Sequence, residues 1–293
     1  MRLWHVRGRK PLVACLVVVG IACFAMHDAR SQDITGDDNL TNFAFLHYYG
    51  TGAFTVGEQR VLVFRIPPAI TLRSLEDYPW GLRLKLAFVF AIQDFETPED
   101  LNLDAYRVFT LVPGIEFLFP VGRTQTLRPY LDLGLGVDDE SNQLALIGGI
   151  GLRTEFIYRW HKFRLGFEPR AQFSGSQSLE GPSVRDSYAE IVIRGVARHP
   201  VWFTTGQAQP DVGVYGEISQ LFNTLEFESA EGEPTSIRDL FEIGIILGFQ
   251  YPRPKVWLFS VPSMSIGYTF GKDFKGLRIR FGGDWATPIP PDW

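Results

Sequence analysis

Residues 275–285 read KGLRIRFGGDW, and they alternate: Leu277, Ile279, Phe281 and Trp285 take one parity, Arg278, Arg280 and Asp284 the other. Successive side chains of a strand point to opposite faces, so this is a strand with one apolar and one charged face. Alone it would suit any half-buried antiparallel sheet. It gains meaning because the same pattern recurs along nearly the whole chain.

Working outward, the alternation marks Leu82–Ile92 with Arg83 and Lys85 opposite, Phe109–Phe119 with Thr110 and Glu116, and Leu127–Val137 with Arg128, Tyr130 and Asp132. It continues through Leu144–Trp160 with Arg153, Glu155 and Arg159, and Phe163–Phe173 with Arg164, Glu168 and Arg170. Then come Ala189–Ile193 with Glu190 and Arg194, Val212–Ile218 with Tyr215 and Glu217, Phe241–Phe249 with Glu242, and Val256–Phe270. A weaker stretch, Gln59–Arg73, makes eleven. The aromatic segment Asn42–Tyr49, NFAFLHYY, is read as the twelfth strand, with ten strands as the alternative count.

The links alternate too. Ser74–Pro79, Val121–Thr124, His161–Lys162 and Pro252–Pro254 are short, whereas Asp94–Ala105, Gly175–Arg185 and Asn223–Thr235 are longer and polar. Short turns on one side and long loops on the other are the habit of an outer-membrane barrel, with the turns in the periplasm and the loops outside. Pro200–Pro210 and Gly271–Phe274 depart from that rule.

The face assignment follows from energetics. An Arg or Lys facing lipid at mid-bilayer costs ~2–4 kcal/mol, so the charged parity must line the interior. Arg83, Lys85, Arg128, Arg153, Arg159, Arg164, Arg170, Arg194, Arg278 and Arg280 are thereby set against Glu116, Asp132, Glu155, Glu168, Glu190, Glu217, Glu242 and Asp284. Such a near balance reads first as an internal salt-bridge network that stiffens a narrow or closed barrel. The sharper reading is a small pore whose Arg excess draws anions. The glycines Gly134, Gly136, Gly149, Gly151 and Gly244 share the lumen parity, and they leave room for water, mark bends or make places for large neighbours such as Tyr130. Tyr158, Trp160, Tyr251, Trp257, Tyr268, Phe270 and Trp285 fall near strand ends, as an aromatic girdle requires. A soluble sandwich or lipocalin-like barrel would put the charged face outward instead.

The N-terminus reads as an export signal. Arg2, Arg7, Arg9 and Lys10 precede an apolar run from Pro11 to Met26 and a small-x-small site at Ala29 and Ser31. The expected organisation is a signal peptide over 1–31, a barrel over 32–285 and a Pro-rich tail over 286–293. Both cysteines, Cys15 and Cys23, leave with the leader, so the mature chain has no disulfide, thiolate ligand or cysteine nucleophile. The leader carries five of the 28 Lys/Arg and one of the 33 Asp/Glu, leaving 23 and 32 and a net charge of −9. That charge argues against a nucleic-acid partner. No apolar run of ~18 residues follows the leader, so a crossing must use strands. Alternation hides their apolar surface from a mean hydropathy of only +0.01.

One hairpin, Pro113–Gly136 (PGIEFLFPVGRTQTLRPYLDLGLG), resembles the solitary outer-membrane autotransporter-type β-barrel family, in which the barrel carries no secreted passenger. The resemblance implies a twelve-strand barrel and assigns no substrate and no catalytic residues. Such chains commonly end on an aromatic assembly signal, and here Trp285 and Trp293 both remain candidates for it.

Other chemistries find little footing. His47, His161 and His199 stand in no nucleophile–base or paired-carboxylate arrangement, so the chain is not expected to be an enzyme. No ligand spacing suggests a metal or a cofactor. The acidic links EDLNLD and DDES suit solvated loops, calcium or divalent-bridged lipopolysaccharide. The expectation is an integral outer-membrane, all-β up-and-down barrel of about twelve antiparallel strands, with a structural or narrow-pore role. Its partners would be lipid, lipopolysaccharide, the barrel-assembly machinery and at most a small solute. The alternative is a surface adhesion or ligand-binding module acting through the long loops.

Overall fold

In the computed structural model the described residues are 42–281, less 58, 76, 94–107, 123, 140–142, 180–184, 205–208, 229–233, 250–254, 257–258 and 261–262. The expectations for the leader, for Tyr251, Trp257, Asp284 and Trp285, and for the tail lie outside the described residues.

A short helix, α1 (Phe43–Tyr49), precedes the strands β1 (Thr51–Val56), β2 (Gln59–Ile66), β3 (Ala69–Arg73), β4 (Gly81–Gln93), β5 (Val108–Val121), β6 (Gln125–Asp138) and β7 (Gln143–Trp160). There follow β8 (Phe163–Ser178), β9 (Arg185–Pro200), β10 (Pro210–Glu228), β11 (Pro234–Phe249), a two-residue pair β12 (Lys255–Val256) and β13 (Phe259–Ser260), β14 (Met264–Gly271) and β15 (Phe274–Phe281). Every pairing is antiparallel. The ring closes where β1 pairs with β15, Thr51 opposite Ile279 and Val56 opposite Phe274, so twelve strands leave no open edge.

The thirteenth strand of the sheet is β3, which continues β2. Ile66 lies opposite Phe88 and Ala69 opposite Lys85, one register along one edge of β4. Pro67 and Pro68 between them have no N–H to give the ladder, which breaks the strand without moving its course. The Leu86 amide still donates to the Pro68 carbonyl at 2.9 Å across the break.

Exposure decides the faces. Leu131, Ile150, Val214 and Ile243 point outward and are 50%, 58%, 61% and 62% exposed, whereas Arg128, Glu155 and Glu242 point inward and are 1%, 1% and 2% exposed. A barrel with apolar residues outside and charge inside is the reverse of a water-soluble one. Rings gather at both rims of this outer band: Phe90, Phe109, Phe241 and Phe270 at the end of the long connections, and Trp80, Phe117, Trp160 and Phe163 at the other.

The twelfth strand is not where the sequence reading put it. Asn42–Tyr49 forms α1, and the closing strand is β1. The Asn42 side chain accepts from the Phe45 amide at 2.8 Å, a standard N-cap, and Gly50, at φ +105°, ends the helix. A helix apolar on all sides is stable only when buried on all sides, and a short apolar run offers no period to separate it from a buried strand. Two further boundaries shift. Val256–Phe270 is not one strand, because β12 pairs only with β13 and the barrel strand begins at Met264, so the link after β11 spans 250–263. The long loop expected over Asn223–Thr235 is largely strand, since β10 runs to Glu228 and β11 starts at Pro234.

Candidate functional site: the lumen

The inside of the barrel is layered. Toward the end of the long connections it is an apolar core built around α1. Phe43, Ala44, Phe45 and Leu46 are between 0% and 4% exposed and pack on the inward side chains of β1, β2, β4, β5 and β7, among them Phe54, Val63, Val89, Val112 and Ile147. Phe54 of β1 and Phe274 of β15, both on the inner face of the closing pair, stack at 5.3 Å, and Phe45 meets Phe54 edge-on at 5.9 Å.

Three consecutive residues tie the helix to the wall. His47 Nδ1 lies 3.0 Å from Thr110 Oγ1, the Tyr48 hydroxyl donates to Asp132 at 3.3 Å, and Arg278 donates to the Tyr49 carbonyl at 3.2 Å. The last contact sets a cation at the helix C-terminus, where the backbone dipole favours it. Burial, reinforced by the nearby positive charges of Arg65 and Lys85, holds the His47 imidazole well below its usual range. It is therefore neutral at pH 7.

Several lumen glycines are seats for rings. A Cβ at Gly149 would collide with the Tyr48 hydroxyl and one at Gly151 with Tyr130, whereas one at Gly244 would first meet the Ile266 carbonyl and only then Tyr215. At Gly136 it would stand 2.6 Å from Phe43. Gly134 has another cause, close approach to the backbone of Leu111 and Val112. For Gly136, Gly149 and Gly151 the geometry supports large neighbours, and for Gly134 and Gly244 close backbone approach.

Toward the short-turn end the lumen is charged. Arg83 and Arg128 converge on Glu116 at 3.2 and 2.8 Å, and Arg128 reaches Glu155 at 3.4 Å. Lys85 meets Asp132 at 2.7 Å, Arg153 meets Glu168 at 3.3 Å and Arg170 meets Glu190 at 3.2 Å. Arg278 and Arg280 clasp Glu217 at 2.7 and 2.6 Å and also pair with Glu242, while Arg194 stands 3.9 Å from Glu217. Glu242 in addition accepts from Tyr215 at 2.5 Å and Thr269 at 2.8 Å. The sequence-assigned charges of β4 to β11 and β15 thus meet inside the barrel. The exception among the described residues is Arg159, which is exposed beside the turn at His161.

Sequence reasoning missed three members. Asp211 pairs with both Arg164, at 3.0 Å, and Arg198, along the wall of β8, β9 and β10 near the short turns. Carrying the parity of Glu190 and Arg194 one pair further along β9 would have found Arg198, but the following Pro made the segment look like a turn. The third is Arg65 on β2, hidden because its inward companions Val61 and Val63 are apolar where α1 packs on them.

Between the two layers lies a cavity of about 210 Å³, bounded by His47 and Tyr48 from α1 and by Arg65, Pro67, Pro68, Lys85, Asp132, Arg153, Arg170 and Arg194 from the wall. The closed twelve-strand ring is similar in fold to a solved structure: the translocator domain of autotransporter NalP from Neisseria meningitidis matches with a TM-score of 0.50 at 9% identity, over 78% of this chain and 83% of that one.

The fold is that of an autotransporter β-domain.

The beta domain of the Bordetella autotransporter BrkA also matches, with a TM-score of 0.49 at 10% identity, over 79% of this chain and 93% of that one. No protein-family model and no curated protein matches the sequence. What this chain shares with these autotransporter β-domains is the path of the backbone.

Proposed function

We propose that this chain is an integral outer-membrane barrel whose lumen is closed by α1 and braced by its internal ion pairs, serving as a structural element or a narrow, guarded conduit. The observation that carries the reading is the joint filling of the lumen, apolar around Phe43–Leu46 and charged around Glu116, Glu217 and Glu242. The apolar outer band between two aromatic rims suits lipid as its surrounding solvent, with lipopolysaccharide and the barrel-assembly machinery as the partners such a barrel needs. The basic, apolar and small-residue succession over 1–31 supports export through a cleaved leader. Buried charges held in ion pairs such as these stiffen a barrel.

The test is single-channel recording of the refolded mature chain in a planar bilayer, alongside Arg278→Ser/Arg280→Ser and a Phe45→Ala variant that loosens the helix. A silent wild type that still migrates as a folded, heat-modifiable barrel, with steps appearing when α1 is loosened, fits a closed barrel guarded by the helix. Large, steady wild-type currents unchanged by either variant would overturn it.

A further inference from the structure

The cavity beneath α1 has a charge imbalance that the ion pairs do not remove. Eight cationic side chains line it against four carboxylates, Glu116, Asp132, Glu168 and Glu217. Counting Glu190 and Glu242, which pair with lining arginines from just behind, still leaves two cations in excess.

The excess is localised. Among the described residues the Arg65 guanidinium makes no ion pair, and its Nε is buried without a hydrogen-bond partner. It feels like charge from Arg153 and Arg170 and opposite charge from Asp132, which Lys85 already engages. Each of these neighbours holds one wall carboxylate of its own, and all of them border the same cavity. Arg65 is half-buried and faces the cavity; a guanidinium partly withdrawn from water is stabilised by a nearby anion, and its planar fork matches the paired oxygens of a carboxylate or phosphate.

We propose that this cavity is an anion site that takes a compact oxyanion of the phosphate class, with Arg65 as its principal ligand and Arg153, Arg170 and Lys85 around it. Size narrows the class. At about 210 Å³ the cavity far exceeds the roughly 10–15 Å³ a single water needs. It falls below the ~300–1,000 Å³ of pockets that enclose drug-sized ligands. A phosphate group fits, either as the free ion or as the headgroup of a lipid reaching in from the end where Pro67, Pro68 and Phe281 line the cavity. The proposal is independent of whether the barrel conducts.

The experiment uses the folded mature chain in a non-ionic detergent at low salt, titrated with inorganic phosphate by calorimetry, with total phosphorus per chain measured before and after delipidation. Saturable one-site binding in the wild type, weakened about tenfold or more in Arg65→Gln and partly restored in Arg65→Lys, supports the free ion. About one phosphorus per purified wild-type chain, lost on delipidation and absent from Arg65→Gln, supports a lipid headgroup.

Ala69→Glu guards against a misfolded Arg65 variant. Ala69 lines the cavity opposite Lys85, so a carboxylate there supplies the anion internally. That variant should melt higher than wild type without phosphate and show no further rise when phosphate is added. A control outside the cavity, Arg73→Gln, whose half-buried guanidinium lies over Tyr78 and Trp80, should bind as wild type does. Absence of both binding and bound phosphorus in the wild type, or equal affinity in Arg65→Gln, overturns the site.

Discussion

Tyr48 of α1 rests on Gly149 of β7 so closely that a single methyl group added to the glycine would collide with the phenol oxygen. The seat of the helix is therefore cut into the barrel wall. Gly149→Val should lift Tyr48 from Asp132 and loosen α1, at the ~1–3 kcal/mol typical of overpacking. The check is hydrogen exchange of the α1 amides, which should speed up while the strand amides stay protected.

Glu217 holds Arg278 and Arg280 directly and Arg194 at longer range. Glu217→Gln leaves Arg278 and Arg280 to share Glu242 alone and takes away the carboxylate nearest Arg194, and breaking a buried pair from one side costs up to ~3–5 kcal/mol. Urea unfolding in micelles should show that loss. Glu217→Gln/Arg280→Met should recover part of it, because one uncompensated charge leaves with its partner.

The pH dependence has a definite sign. His47 is held neutral when α1 is seated, so the seated state binds fewer protons than a state in which His47 meets water. The stability this provides is whole above the ordinary histidine value of ~6.5 and drains away as pH falls from there toward the depressed seated value, at ~1.4 kcal/mol per unit of depression. Protection of the α1 amides should therefore weaken between pH 7.5 and pH 5. His47→Gln, which cannot titrate, should abolish the slope.

Removing the N-cap gives a milder effect. Asn42→Ala takes away the acceptor for the Phe45 amide and should cost ~1 kcal/mol of helix seating. Asn42→Ser should be close to neutral by the same exchange measurement, because its hydroxyl can take over the bond.

Ile243 is 62% exposed on the outer band of β11. If that band faces lipid as proposed, Ile243→Arg should destabilise the barrel by ~2–4 kcal/mol in bilayers and far less in water-rich micelles. Ile243→Leu should be near neutral in both. Equal cost for the arginine in the two media would speak against a lipid-facing surface.

How legible the lumen was from sequence varies by strand. In β4 through β11 an Arg or Glu at every second or fourth position declared the inner face, because strand geometry ties parity to side. In β1 and β2 both faces are apolar, as Val61 and Val63 must pack on α1 and Phe64 and Ile66 face outward, so alternation vanished and Arg65 vanished with it. Asn42–Tyr49 failed for a related reason: a segment apolar on every side has the same sequence signature whether it is a helix in a core or a strand in a wall. Arg198 and Asp211 were missed only because prolines at 200 and 210 made strand ends resemble a turn.

The sequence by itself determined that this chain alternates, which parity is charged, and hence that strands rather than helices enclose a polar interior. Those are local properties, set by the two-residue period of an extended backbone. Only the tertiary structure decided which charge meets which, that Tyr48 and Tyr130 fill the glycine seats, that α1 enters the lumen, and that Arg65 is left over. Those outcomes depend on ring closure. A residue's partners are chosen by register and by what stands across the lumen, and both arise only once Thr51 has found Ile279 at the far end of the chain.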